Sequence, residues 1–491
     1  MNNMDFDIWQ RPKLKLLNEE QLEKIFNASL EVLEKTGTVV KHKEALDMLD
    51  GAGAKVVDKE KVKIPSNLVE EALKTVSSSV VISNRDGEDT MFLEGDNVYF
   101  GPGSETPYVL DPYTGKRRGS VKNDTVRAAK VIDYLPNIDF AMSFGLATDI
   151  QRETCDAHHF EAMVLNTNKP IIFTAYDKEG IDYIFKMASV AMGGEEKFRE
   201  NPFLLHYAEP TSPLIHSKPT IDNLFACVER DIPFMYVPGA SMGATAPMTF
   251  AGGYVQTSAE FLVGLILTQL KKKGAKVLFG GGVNPLDMKT MAFSYGAPEA
   301  WISRVIRKEL AEYMGVPVFA TGGCTDAKIV DQQAAIEASN SLMLSGLSGQ
   351  HLIHDVGYID SGLTSSLEML VMADEIIATV KRVLKSLRVN EETLAVDVID
   401  EVGPGKDYLS HEHTYKYFRD VLFQSNLLTR DNYDNWVKKG SKSMGDLIKE
   451  KVINILESHE ENRLNEDAEK EIKELLAESD TKRKKEERKR K

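Results

Sequence analysis

Cysteine is almost missing from this sequence: three residues in 491, Cys155, Cys227 and Cys324, odd in number and far apart. That excludes a disulfide framework and a CxxC redox or zinc site, and it points to a reducing, cytoplasmic compartment. Long apolar runs are missing too. The stretch 262–270 falls far short of the roughly 20 residues a membrane helix requires. The first ten residues, MNNMDFDIWQ, are acidic and lack a positively charged apolar leader, so no secretory signal is expected. Basic charge is in deficit: 60 Lys and Arg face 75 Asp and Glu, a net charge of −15. A surface of that sign is soluble and is not expected to hold nucleic acid. The zinc helix motifs HExxH and HxxEH, the Walker sequence and the kinase loops are all absent.

What is present describes an ordinary globular chain, 42% apolar, 27% charged and 8% aromatic. At roughly 150 residues per domain it makes about three units, or one large α/β barrel with additions. Residues 18–36 place Leu22, Ile25, Phe26, Leu30 and Leu33 on one helical face, with Gly37 as the stop. A second helix is expected at 41–51 and strands at 56–64 and 80–93, the latter turned at Arg85-Asp86-Gly87. Residues 1–97 thus read as a small N-terminal α+β cap.

From residue 98 short apolar runs recur, each followed by a helical stretch: 98–103, 138–144, 170–176, 202–209, 232–239, 276–282, 316–322 and 351–357. Strand-plus-helix units need about 30 residues each, and the starts lie 30 to 44 residues apart. Eight such units over 98–388 fit a (β/α)8 TIM barrel. An open doubly wound sheet usually carries GxGxxG after its first strand; here that turn reads GPGSET. Residues 389–449 read as a helical region. Residues 450–491 read as a charged helix over 450–478 and a basic tail ending in RKKEERKRK. The tail is either a contact for nucleic acid, membrane or an acidic partner, or a solvated mobile end; the second is the expectation.

In such a barrel the active site lies at the C-terminal ends of the strands. Those ends are rich in aromatics: Tyr99, Phe100, Phe144, Tyr176, Tyr207, Tyr236, Phe279 and Phe319, with His206, Glu209, His354 and Asp355 among them. Lys and Arg are scarce there, which disfavours a phosphate substrate. Aromatic faces with a few acceptors suit a cation without N–H donors, such as a quaternary ammonium. The alternative for each ring is filling a layer of the barrel. Glu209 either meets substrate or caps the following helix, and His354 and Asp355 are either functional or structural. Small residues in 238–247, Gly239 and Gly243 among them, let that loop approach a ligand closely. His158-His159-Phe160-Glu161 and the pair His411 and His413 match no zinc spacing, so no metal is expected.

The loop HYAEPTSPL (206–214), the segment PGASMGATAPMTFAGG (238–253), the run LIHDVGYIDSGLTSSLEMLVMADEII (352–377) and GPGKDYLSHEHTYKYFR (403–419) resemble the trimethylamine methyltransferase superfamily. The likeness runs to about residue 450. It implies a TIM barrel that moves a methyl group from an amine to the cobalt of a corrinoid carried by a partner protein, with no cofactor held tightly by this chain. Founding members carry pyrrolysine in a loop that corresponds to Thr325-Asp-Ala-Lys-Ile-Val-Asp-Gln-Gln333, where only ordinary residues stand. The chain therefore looks like the branch without pyrrolysine, which demethylates quaternary amines: glycine betaine first, with carnitine, γ-butyrobetaine and proline betaine as alternatives. On that footing Phe100, Tyr176, Tyr207 and Phe279 are expected to cage the ammonium. His206 and His354 are expected to bind the substrate carboxylate, with Glu209 orienting one of them. Gly239, Met242 and the stretch from Asp326 through Asp331 to Gln333 are expected to line the mouth where the corrinoid protein docks. No residue is assigned a role beyond positioning. A symmetric homo-oligomer is the general expectation. A metal-dependent barrel hydrolase and a non-catalytic betaine-binding protein are the competing classes.

Overall fold

A computed structural model describes residues 12–460 and 462–490, and the side chains of these except 486–490. The acidic N-terminal decapeptide and the end of the basic tail lie outside that description.

Seven of the eight expected runs contain strands, all parallel to their neighbours: β1 (Tyr99–Phe100), β2 (Ile171–Phe173), β3 (Leu204–Ala208), β4 (Phe234–Tyr236), β5 (Val277–Phe279), β6 (Phe319–Thr321) and β7 (Leu352–His354). One sheet runs β5-β4-β3-β2 and another β6-β7-β1. A bridge between Phe279 and Val318 connects β5 to the approach of β6. The eighth run, 138–144, forms no strand. It makes one bridge, Ala141 to Ile171, and Asp139 N–H donates to Phe100 O at 2.6 Å, so it links β1 to β2 without a regular ladder. A helix follows each of the eight positions, from Lys122–Tyr134 to Leu367–Leu384. The result is a mixed α/β fold with a helical C-terminal region.

Successive strand residues point to opposite faces. Here both faces are buried, as in parallel sheets covered by helices. One face, including Ile171, Leu204, Phe234, Val277 and Ile353, packs against the helices. The other, including Ile172, Leu205, Met235, Leu278, Phe319 and Leu352, forms a separate inner cluster.

The N-terminal segment belongs to this construction. Helix Glu19–Glu31 starts at Asn18 with a capping box to Gln21, and Gly37 ends the following turn at φ 74°. Strand Thr38–Val40 pairs in parallel with Ile215–His216 from the middle of the chain. The hairpin Val80–Ser83 with Asp89–Leu93 inserts Val80, Ile82, Met91 and Leu93 into the inner cluster. Helix Ser66–Thr75 was not expected from the sequence.

Among the described residues, Phe250–Lys271 is the one helix long and apolar enough to cross a membrane; 72% of its apolar window is buried inside the fold, Phe261 packing edge-on against Phe279 at 4.8 Å. The expected single helix at 450–478 is two, Met444–Ser458 and Glu466–Arg490. The second is anchored where a mobile tail was expected. Tyr183 Oη donates to Glu478 at 3.1 Å, His158 Nε2 lies 3.1 Å from Asp480, and buried Arg483 pairs with Asp177 and Glu179.

Leu93 is fully buried at the base of the inner cluster. Leu93→Ala leaves a cavity in the inner core, and urea unfolding is expected to register a loss of about 2–5 kcal/mol. An unchanged midpoint would mean that the hairpin does not seal this core.

Candidate active site

A cavity of about 200 Å³ opens at the C-terminal ends of the strands. Tyr207, Val237, Gly280, Thr321 and His354 line it. Each sits two positions beyond an inner-cluster residue on its own segment: Leu205, Met235, Leu278, Phe319 and Leu352. The cavity is therefore the next layer up the same inner face. Gly280 keeps that layer hollow, because a Cβ there would lie 2.5 Å from Val237 Cγ2. Glu209, Gly239, Asn284, Tyr295, Asp355, Tyr358 and Arg307 complete the wall.

Of the expected site residues, Tyr207, Glu209, Gly239 and His354 meet at this cavity. The four-ring cage does not form. Phe100 and Phe279 are fully buried on the helix-facing side, one step out of phase with the inner face. Tyr176 is exposed, with the Arg152 guanidinium 5.6 Å from its ring. His206 is out of phase as well. It packs between Phe173 and Phe234, Nδ1 lies 3.1 Å from Phe173 O, and burial pushes its pKa down to about 3, so it is neutral and remote from any substrate carboxylate. Met242 is buried in the outer core. Asp326 accepts from Tyr295 N, Gly296 N and Ser361 Oγ at 2.8–3.1 Å, stitching together the loops that carry Tyr295 and Gly362 to the cavity. Asp331 caps helix Gln332–Ser348, and exposed Gln333 donates to Glu337.

Tyr295, Tyr358 and Arg307 escaped the sequence reading. Tyr295 lies on a loop and Tyr358 in the two-residue strand Tyr358–Ile359, both beyond the ends of β1–β7, where no periodicity marks a residue as inward. The signal for arginine was there: helix Pro298–Met314 carries Ala300, Ser303, Arg304, Arg307 and Ala311 on its buried stripe, and charges on the buried face of a helix need a partner.

Arg307 Nη1 donates to Phe319 O at 3.3 Å, and its Nε has no partner among the described residues. It fits because Gly282 stands beneath it; a Cβ there would lie 2.0 Å from Arg307 Nη2. Arg304 donates to Thr321 Oγ1 at 2.9 Å, and its Nη1 has no partner among the described residues. Burial lowers its pKa to about 10, still cationic at neutral pH. The scarcity of cations expected from the strand ends is corrected here by two that come from a helix.

Three carboxyl groups oppose them. Glu105, whose oxygen accepts from Thr174 Oγ1, has its pKa raised by burial. Glu209 accepts from Tyr207 Oη, and its pKa is raised by burial and further by the charges of Asp355 and Glu105. Glu209 is exposed where it lines the cavity, so burial raises its pKa less than a dry interior would. His354 Nδ1 lies 2.6 Å from Ala320 O and therefore carries a proton; Nε2 faces Asp355 Oδ1 at 3.3 Å. Burial lowers the His354 pKa, and the Asp355 charge works against that shift. Glu105 and Asp355 adopt left-handed backbone at φ 64° and 72°, strain of about 1–3 kcal/mol each that concentrates at functional sites. Among the described residues no three His, Cys, Asp or Glu side chains gather at metal-binding distance.

An enzyme-like cavity above a filled parallel α/β core is the class of protein described so far. The family model described as trimethylamine methyltransferase matches residues 3–487, and this chain belongs to that family, whose members are methyltransferase enzymes. It is 32% identical over 443 residues to the trimethylamine methyltransferase MttB of Desulfitobacterium hafniense, covering 90% of this chain and 89% of that one. It is 28% identical over 432 residues to the glycine betaine methyltransferase of Desulfitobacterium hafniense strain Y51, covering 87% and 89%. Among solved structures it resembles the monomethylamine methyltransferase of Methanosarcina barkeri, with a TM-score of 0.51 at 12% identity, covering 91% of this chain and 88% of that one. That likeness speaks for the fold alone.

Because folding raises the Glu209 pKa, the native state binds its proton more tightly than the unfolded chain does. Its cost to stability is absent below the ordinary carboxylate range and grows as pH rises through and above it. Glu209→Gln is therefore expected to match wild type in stability at low pH and to exceed it at neutral pH. Denaturant unfolding at several pH values checks this; a pH-independent difference would refute it.

Proposed function

We propose that this chain takes a methyl group from a quaternary amine, glycine betaine first, delivers it to the Co(I) corrinoid of a partner protein and releases the tertiary amine. Carnitine, γ-butyrobetaine and proline betaine share the same headgroup and carboxylate. The observation that carries the reading is the cavity wall itself: Tyr207, Tyr295 and Tyr358 together with Glu209 and Asp355, and Arg307 in the same hollow. We also read the seven strands and the 139–141 link as the eight staves of a (β/α)8 barrel, and the three buried free cysteines as fitting a reducing cytoplasm.

A quaternary ammonium has no N–H to donate. Its recognition rests on tyrosine faces, about 0.5–2 kcal/mol each, and on carboxylate charge. The tertiary amine leaves neutral, so the chain needs no general acid. Its work is positioning: hold one N–CH₃ bond toward the mouth and exclude water. Positive charge on nitrogen falls as the methyl departs, so contacts that favour the cation stabilise the ground state more than the transition state. Two lining carboxylates, one with a raised pKa, fit that requirement better than a ring of fully ionised groups. Arg307 suits the carboxylate of a betaine, with a buried Nε still unpartnered.

The mouth suits a large flat macrocycle. Met248, Met288, Met291, Ile329 and Leu363, each in a loop beyond a strand end, are exposed and would hold it. When docked, the corrinoid supplies the cobalt nucleophile.

The direct test is a panel of betaines, tetramethylammonium and trimethylamine with the reduced corrinoid protein, read by the corrinoid's visible spectrum and by NMR of the released amine. Glycine betaine or a longer betaine is expected to react and trimethylamine to remain unchanged; turnover of trimethylamine alone would overturn the reading. Arg307→Met is expected to lower kcat/KM for the betaine ~10- to 100-fold, the worth of one charged hydrogen bond, while sparing tetramethylammonium. Equal losses on both would make Arg307 structural.

A further inference from the structure

The basic run at 482–491 supplies nothing to the cavity, yet the fold brings it to the cavity's side of the molecule. It holds eight basic and two acidic side chains, a charge of +6 in a chain whose net charge is −15. Two sets of contacts fix the direction of the helix that carries it, Glu466–Arg490. Just before this helix, Asn462 O accepts from Arg85 Nη2, and Asn462 Nδ2 donates to Asp86 at 3.2 Å. Asp86 also accepts from Asn168 at 2.8 Å, three residues before β2 begins. Toward the other end, Arg483 pairs with Asp177, the N-cap of helix Lys178–Met192, and with Glu179 at 3.0 Å. Lys482 pairs with Glu179 at 2.7 Å. Asp177 stands four residues beyond the end of β2.

The helix therefore runs alongside β2 from the strand's start to its finish and arrives at the rim of the cavity. Thr174, the first residue past β2, donates to Glu105, whose charge acts on Glu209 in the cavity wall. From Arg483 to Arg490 the helix continues for seven residues, about 10 Å at 1.5 Å per residue, past its anchoring pairs. Lys482 and Arg483 spend their charges on the body, whereas Lys484 and Lys485 are exposed.

We propose that the end of this helix, from Lys484 onward, is a docking element for the corrinoid protein and engages an acidic patch beside that partner's corrinoid. This role rests on the reaction proposed above, which brings the corrinoid protein to this mouth in every turnover. Exposed Met248, Met288 and Met291 offer contact area without charge preference. The helix end adds a positive pole at one edge, which orients the approach. Charges at the rim of an interface act on encounter rate and register. Screening over about 8 Å at physiological salt damps the acidity of the body but spares a pole that meets the partner directly. Nucleic acid or an anionic bilayer would need a basic face broader than one helix end, and the body behind this one is acidic.

Methyl transfer by the full chain tests this, with Lys484→Glu and Lys485→Glu combined. At low salt the KM for the corrinoid protein is expected to rise ~10-fold while kcat and the KM for the betaine stay unchanged, and high salt is expected to erase the difference. Lys484→Arg with Lys485→Arg is expected to behave as wild type. An unchanged KM for the corrinoid protein, whether or not binding to duplex DNA or anionic vesicles is lost, would overturn the proposal. So would a fall in kcat or a difference that persists at high salt. A wild type that transfers no methyl from any amine sinks the proposed reaction alone. The docking role is then read from fluorescence anisotropy of the labelled corrinoid protein: weaker binding by the glutamate variant at low salt supports it, and equal binding overturns it.

Discussion

A strand turns each side chain to the face opposite its neighbour, and this two-residue alternation governs everything else in the molecule. It separates the apolar layer under the helices from the layer inside the strands. One rung higher on the same inner face, it decides which side chains reach the cavity. Tyr207 enters and His206 does not, although they are adjacent. The inner face is filled below by large apolar side chains and sealed by the hairpin from 80 to 93, so space for a ligand is left only at the top.

That space is charged and only partly closed. Burying ionised groups is expensive unless they are paired, and here the pairing is incomplete by arrangement. Arg307 lines the cavity with its Nε lacking a partner among the described residues, Glu209 lines it beside Tyr207, and His354 Nε2 faces Asp355 Oδ1 at 3.3 Å. A ligand that is a fixed cation at one end and a carboxylate at the other would complete these partnerships. Such polarity fits the proposed betaine better than a bare amine.

The rest of the chain supports or surrounds this centre by different means. The last helix is held to helices Cys155–Val164 and Lys178–Met192 by polar contacts, His158 with Asp480, Tyr183 with Glu478, and Arg483 with Asp177 and Glu179. Asp326 spends its oxygens on the loops around the cavity and so positions Tyr295 instead of facing a partner. Residues 387–440 do neither, and thirteen large apolar side chains between 387 and 437 stay exposed.

The order of eight apolar runs, the helix after each, the N-terminal caps and the family were readable from the residues, because periodicity, turn chemistry and motif order are local. Four cavity residues, Tyr207, Glu209, Gly239 and His354, were readable for the same reason: they close recognisable runs. Phase was not. Phe100, His206 and Phe279 look as suited to a pocket as Tyr207, and a shift of one residue along a strand exchanges inside for outside. Nor was Arg307, whose helix follows β5 and whose fit depends on Gly282. The sequence by itself determined most of the strands and helices, though not helix Ser66–Thr75 or the loss of the ladder at 138–144. Only the tertiary structure decided which face of each strand looks inward, because the packing of helices on one side and the hairpin on the other selects that face.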